Sequence, residues 1–397
     1  MKSVLFIHTG EQCYESMECF IDEMDRVCSE RGMTTGHLRG DSFENWGKNI
    51  EAKPEFDIVF GFNSPFFCRK NDRGYIVNQL GKTIYYYMLD HPMYHHEVLS
   101  CDIENFHVLC LDENHANYIE HYYKNLVGKT QTVPIPSVEG DKEGVKPFRE
   151  RTKSLVFTGT YTEPLGLQKK AMSMQKPFSD IFHASVEELL EHPAFTVEDV
   201  VLRVTKEVSG WDPEKIETNF SQILQANFLI DFYLRALLRE MMIYEIIKDQ
   251  IPVELYGHGW DVFRDKWQLI QPGVIDFLRI QGQISYVSLP QIYGDTRISL
   301  NQLPGFKRGC HDRIPLSMRN GAVAMTDLNK YLTGQMMIQD GVHVLAYDLE
   351  KMDEIPEKIR RAQSDEDLLE NISREAVCFA KKNMTWESFI EKIWGQR

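Results

Sequence analysis

The chain has 397 residues, 43% of them hydrophobic, with a formal net charge of −15 and a pI near 5.4. That length accommodates two domains of ordinary size, and the acidity excludes nonspecific nucleic-acid binding, which requires a basic face to replace counterions. No apolar run approaches the roughly 18 residues of a membrane span. The N-terminus enters a strand directly, without the basic and apolar regions of a secretory signal, so a cytoplasmic protein is expected.

The eight cysteines, at 13, 19, 28, 68, 101, 110, 310 and 378, form no Cys-x-x-Cys pair and read as free thiols of a reducing compartment. His91, His95 and His96 lack the Cys or acidic spacing of a zinc site.

Residues 1 to about 145 alternate short apolar runs with amphipathic stretches. The predicted strands are SVLFIH, FDIVFGF, TIYYYML, FHVLCLD and TQTVPIP, with a helix from about Cys13 to Arg31 on the spacing Met17, Phe20, Ile21, Met24 and Val27. Nearly continuous apolar strands suit a parallel sheet covered on both faces by crossover helices, so this half reads as a doubly wound α/β domain. The polar stretch SVEGDKEGVKPFRERTK has the turn formers and charge of a linker.

A second α/β domain is expected over about 151–379, opening on Leu155-Val156-Phe157 and the turn Thr158-Gly159-Thr160. Its next strand, VELYG, comes only after a helical insertion at about 172–250, far longer than the about 12 residues a crossover needs. The apolar stripe of the insertion (FLIDFYLRALLREMMIYEIIK) is expected to pack on its own domain or on a sister subunit, so a homodimer is a possible partner arrangement. The strands RISLN, AVAMTD and HVLAYD follow. Two helices end the chain from about Asp365, with Thr385 as N-cap of WESFIEKIW, and the last of them (about 380–397) can pack back on the first domain.

The most informative stretch runs from Gly282 to Asp348. The strand RISLN leads into a Gly-bearing turn rich in bases (Lys307, Arg308, His311, Arg313), then a helix and a strand closed by Asp327. Unpaired backbone N–H groups and cations there suit a phosphate, and a nucleotide diphosphate is the expected ligand.

In this order, LVFTGT, LYGHGW, YVSLPQIYGDTRISLN, HDRIPLSMRNGAVAMTD and NMTW resemble the landmarks of the CgeB-like (spore-maturation type) glycosyltransferases of the GT-B superfamily. YYYMLDHP and HVLCLDENHANYIEHYY resemble the domain that commonly precedes them. The resemblance implies an α/β GT-B fold, two Rossmann-like domains facing a cleft, and metal-independent transfer of a sugar from a nucleotide-diphosphate sugar to an acceptor hydroxyl of a protein, a glycan or a small glycoside. No cofactor beyond that donor substrate is implied. There are departures. Leu316 stands where the family has a ribose-binding Glu, with Ser317 and Asp312 as candidate replacements. Arg297 stands for a Lys. The turn at Gly159 lacks the Arg of related enzymes, although Lys169 and Lys170 follow.

On the donor side the candidates are Gly159, Thr160, His258, Gly259, Trp260, Asn301, Arg308, His311, Arg313 and Asp327. Arg313 leads, because a guanidinium grips phosphate oxygens in two places. Its alternative is a salt bridge to Asp312 or Asp327. Gly159, Gly257 and Gly259 admit close backbone approach or are ordinary turn glycines. Trp260 either stacks on a base or anchors the core, and Asn301 ends a strand where open α/β sheets bind ligands. On the acceptor side the candidates follow the first domain's strands: His8-Thr9-Gly10, Asn63-Ser64 and Asp90-His91. Asp90, His91 and His8 are the expected catalytic groups. Two competing readings remain: a noncatalytic GT-B protein that binds a sugar nucleotide or a partner, and a sugar-nucleotide epimerase on the same fold.

Overall fold

A computed structural model describes residues 2–9, 12–39, 56–140 and 144–395. The chain divides into two units. One comprises Met1–Pro136, Ser285–Val287 and Thr385–Arg397, the other Ser137–Ile284 and Ser288–Met384.

The first unit is built on a parallel sheet of strands β1 (Ser3–Ile7), β2 (Thr34–Leu38), β3 (Phe56–Phe62), β6 (Gly81–Met88), β7 (Phe106–Cys110) and β8 (Lys129–Thr132), in the order β2-β1-β3-β6-β7-β8. A small antiparallel hairpin, β4 (Lys70–Asn71) with β5 (Gly74–Tyr75), stands apart from it. The chain turns from one side of β1 to the other between β2 and β3, so the switch point lies at the ends of β1 and β3. The helix Ser16–Glu30 buries Met17, Phe20, Ile21, Met24 and Val27, the five positions its 3.6-residue period selects. The helix Trp386–Trp394 belongs to this unit. Its Phe389 ring stacks on Tyr87 at 5.9 Å, and Trp394 meets Phe60 edge-on. Thr385 Oγ1 accepts from Ser388 N at 3.2 Å, the expected N-cap. β8 stops at Thr132, before the Pro-bearing end of TQTVPIP, where a proline lacks the N–H a ladder needs.

The second unit's sheet is also parallel: β9 (Lys153–Thr158), β10 (Val253–Tyr256), β11 (Leu278–Gly282), β12 (Thr296–Leu300), β13 (Val323–Asp327) and β14 (Leu345–Tyr347), in the order β11-β10-β9-β12-β13-β14. This is the Rossmann strand order 3-2-1-4-5-6, with its switch point between β9 and β12. The linker-like stretch after Ser137 groups with this unit.

Between β9 and β10 run the helices Pro164–Met172, Phe178–Glu191, Val197–Val208, Pro213–Thr218, Phe220–Ala226 and Leu229–Lys248. The last is the crossover helix of the βαβ unit, and only the earlier ones are inserted. Its Leu238, Met242, Ile243, Ile246 and Ile247 join Leu155, Phe157, Leu255 and Leu300 in one buried cluster. Full burial of each such aliphatic side chain stabilises by about 1.5–3 kcal/mol. The stripe therefore packs on its own domain, the first of the two sequence expectations. Among the described residues no helix is long and apolar enough to cross a membrane.

Candidate functional site

Ligands of open α/β sheets bind beyond the carboxyl ends of strands at the switch point, which in the second unit means the turns after β9 and β12. The β9 turn is locked to the β10 turn. Gly159 N donates to Tyr256 O and Tyr161 N to His258 O, both at 2.8 Å, and Trp260 Nε1 donates to Gly159 O at 2.8 Å. A Cβ on Gly257 would lie 2.3 Å from Gly159 O, and one on Gly259 2.3 Å from Tyr161 O. These two glycines therefore serve the approach of turn to turn. Trp260 is fully buried, stacked on Tyr161 at 5.3 Å and edge-on to Phe157 at 5.7 Å. It is the core anchor, and no face remains for a base. His258, on the same turn, is exposed.

Arg313 opens the helix Arg313–Arg319. Its Nη2 lies 3.6 Å from where a Cβ of Gly159 would be, so the sheet topology brings a cation against the β9 turn. The salt bridge weighed from sequence is not formed: Asp312 is engaged by His311 Nδ1 at 2.5 Å, and Asp327 Oδ1 accepts from Leu303 N at 2.8 Å. Arg308 is exposed on the loop after β12, whereas Lys307 donates to Pro193 O at 2.5 Å.

Two candidates turn inward, contrary to the reading that they meet the ligand. Asn301, 1% exposed, donates to Thr326 Oγ1 at 3.0 Å and ties β12 to β13. Asp327 spends its carboxylate holding the Leu303 N–H at the start of the basic loop. Leu316 is wholly buried. Ser317, a candidate replacement for the ribose contact, bonds Ser299 Oγ at 3.0 Å in the interior.

The crossover helix contributes groups that no motif suggested. Arg239 donates to Thr160 O, and its guanidinium lies over the Phe157 ring at 5.4 Å. The neighbouring Glu240 is buried, accepting from Tyr161 OH and, at 2.6 Å, from Lys266 Nζ. Burial, and then the bond to Glu240, push the Tyr161 phenol up, so it stays a donor. Gln302 Nε2 donates to Leu238 O at 2.9 Å. The one sequence signal was a pair of arginines four apart, Arg235 and Arg239, in a helix of mainly apolar residues.

In the first unit, Asn63 and Asp90 come together at the ends of β3 and β6. Asn63, at φ +44°, donates through Nδ2 to Asp90 Oδ2 at 3.2 Å and accepts from Leu89 N at 2.9 Å. Asp90 keeps part of its surface. His91 is buried against His115, ring centroids 4.6 Å apart, and its Nδ1 accepts from Met93 N at 3.0 Å. That bond puts the proton of a neutral ring on Nε2, which suits a donor rather than a base. His8 is 1% exposed and engaged at both ring nitrogens, Nδ1 with Glu18 at 2.5 Å and Nε2 with His37 at 2.9 Å. Burial lowers its basicity, with Glu18 opposing. Its place is inside a polar network, away from the acceptor-facing role expected of it. Gly10 lies outside the described residues. Among the described residues no group of three or more His, Cys, Asp and Glu side chains is placed to hold a metal ion.

A family described as glycosyl transferase-like matches residues 234–395, from the crossover helix to the C-terminal helix. No curated protein matches the chain in sequence. Several solved structures share its fold over nearly their whole length. HepE of Anabaena, in complex with UDP and glucose, is 8% identical over 99% of this chain and 98% of that one, with a TM-score of 0.54. Sucrose-phosphate synthase of Thermosynechococcus elongatus is 9% identical over 99% and 97%, at 0.55. A glycosyltransferase of Rickettsia africae is 10% identical over 99% and 97%, at 0.54. The fold is GT-B. Residues 234–395 thus form a glycosyl transferase-like region within a chain of GT-B fold.

Asp327 yields a test of the loop it holds. Burial pushes its carboxyl up to about 6, against the pull of the Leu303 N–H and of Lys307. A folded group that keeps its proton to higher pH contributes stability that is full below the unfolded value, about 4, and is lost as pH rises through about 6. Asp327→Asn stays neutral and keeps an acceptor for Leu303. Its melting temperature relative to wild type is expected to climb between pH 4 and pH 7 in paired thermal melts.

Proposed function

We propose that this chain transfers a sugar from a nucleotide-diphosphate sugar to an acceptor hydroxyl, with the second unit holding the donor and the first unit supplying acceptor recognition. The observation that carries the reading is the Arg313 guanidinium against the Gly159 turn at the switch point of a Rossmann-ordered sheet. Breaking the bond from the anomeric carbon to the diphosphate builds negative charge on the leaving phosphate, and a positioned guanidinium lowers that barrier. Side-chain cations meet the charge, so the proposed chemistry is metal-independent. HepE and an alpha-glucosyltransferase of similar fold were solved with UDP, which supports a nucleotide donor. The order of the motifs supports the CgeB-like subtype, with a protein, glycan or small glycoside as acceptor. The described cysteines are all free, in keeping with a reducing, cytoplasmic setting.

Asp90 is the proposed general base, because it is partly exposed and oriented by Asn63, whereas His8 has both ring nitrogens engaged. His91 is assigned a supporting role as an Nε2–H donor. A homodimer through the helical segment 172–250 completes the reading, supported by the exposed Met172 and Phe195 on its inserted part and Phe232 and Met241 on the crossover helix.

Incubation with a panel of nucleotide sugars should give slow donor hydrolysis and a thermal shift with the matching nucleotide. Binding without turnover would favour a noncatalytic GT-B protein. Arg313→Ala should weaken nucleotide-diphosphate binding by about 1–3 kcal/mol in calorimetry, and unchanged affinity removes Arg313 from the site. Asp90→Asn should lower kcat by about 10²–10⁴ with little change in the KM for donor, and a kcat near wild type rules Asp90 out as the base. Sedimentation at increasing concentration should reveal a dimer that Phe232→Glu disperses. A monomer throughout refutes that part.

A further inference from the structure

The crossover helix Leu229–Lys248 does more than cover the sheet. Along one short stretch it is tied by polar bonds to the ligand end of that sheet. Arg239 reaches Thr160 O beyond β9, Leu238 O receives Gln302 Nε2 beyond β12, and Glu240 receives Tyr161 OH. β9 and β12 are the two strands that define the switch point. Packing alone would not need these ties, since the apolar residues from Leu238 to Ile247 already bury the helix against the strands.

The ties also orient charge. Glu240 is paired with Lys266 and accepts from Tyr161 OH, which offsets its negative charge beside Arg239. Arg239, one position earlier and about 100° around the helix, faces the turn. One turn back on the same face, Arg235 lies beside the basic loop, its Cδ 3.9 Å from where a Cβ of Gly305 would be, and is paired with Asp231 at 2.8 Å. The Gly159–Thr160 turn is thereby flanked by two guanidinium groups, Arg313 at Gly159 and Arg239 at Thr160. Both are partly exposed. In a chain of net charge −15, two arginines converging on one glycine turn at a sheet's ligand end match the two phosphates of a diphosphate.

We propose that Arg239 is a second diphosphate-binding residue, acting with Arg313, and that the helix following the insertion is therefore part of the donor site. The inference rests on the nucleotide-sugar reading of this unit. It assigns to the crossover helix the cation that the sequence lacks in the turn after β9.

The test uses the full chain and the tightest binder among UDP, GDP, ADP and dTDP, with the matching nucleoside as control. Arg239→Gln should weaken diphosphate binding by about tenfold or more, the effect of one lost charge-assisted hydrogen bond. Nucleoside binding should stay as in wild type, while the unliganded protein, having lost the bond to Thr160 O, should melt slightly lower. A residue that only braces the turn would weaken nucleoside and diphosphate alike. Should the variant fold poorly, arginine modification of the wild-type protein by phenylglyoxal, mapped by mass spectrometry, decides. The nucleotide should slow modification at both Arg239 and Arg313 and leave the exposed Arg26 unchanged. Protection of Arg313 alone, or diphosphate affinity in the Gln variant within about twofold of wild type, overturns the role of Arg239 and leaves the donor-site reading standing. Absence of binding by every nucleotide diphosphate overturns that reading itself, and this one with it.

Discussion

Much of the second unit depends on how closely two backbone turns can approach. The β9 and β10 turns meet at separations no Cβ would permit, and the contact is sealed by the indole N–H of Trp260 on Gly159 O. That single bond commits the Gly159 carbonyl to the core side and buries the tryptophan. The turn so held has two guanidinium groups against it, Arg313 beside Gly159 and Arg239 on Thr160 O. A side chain at Gly257 would part the turns, and the alignment of β9 with β10 at their carboxyl ends would go with it. The glycines thus work indirectly, by letting the cations find a fixed surface.

Charge in this molecule is allocated locally. Glu240 beside Arg239, and Asp312 beside Arg313, would each cancel the neighbouring guanidinium charge if they were unengaged. Lys266 and Tyr161 occupy the first, and His311 the second. Asp327 is diverted to a backbone N–H, and burial raises its carboxyl to about 6, so its charge fades only below that pH. The first unit shows the same economy. Asn63, held in a left-handed conformation, steers Asp90, while His8 is shared between Glu18 and His37. An acidic protein can in this way present a local surface suited to an anion.

The parts that the sequence missed share a physical cause. β2 (TTGHL) and β11 (LRIQG) were not foreseen because each is the edge of its sheet and half exposed, so neither carries the continuous apolar run that marks a buried parallel strand. The helix Ser16–Glu30 was legible to within a few residues because one face is buried and the other wet. Candidate site residues were legible by position but less so by direction. Asn301 and Asp327 do end strands at the ligand end, yet their side chains turn to Thr326 and Leu303. Trp260 follows a glycine turn as expected but points to the core.

By itself the sequence determined the two-sheet α/β organisation, the long helical interruption after β9 and the basic loop after β12. These are recorded in local periodicity, in glycine placement and in the sign of neighbouring charges, all readable within a few residues. Only the tertiary structure decided which cations flank the Gly159–Thr160 turn, because Arg239 and Thr160 are 79 residues apart and are joined through the crossover that lays the helix across β9 and β12. The direction of each side chain at a strand's end was decided there too, since it is set by which neighbour offers a hydrogen bond or a cavity, and those neighbours come from distant parts of the chain.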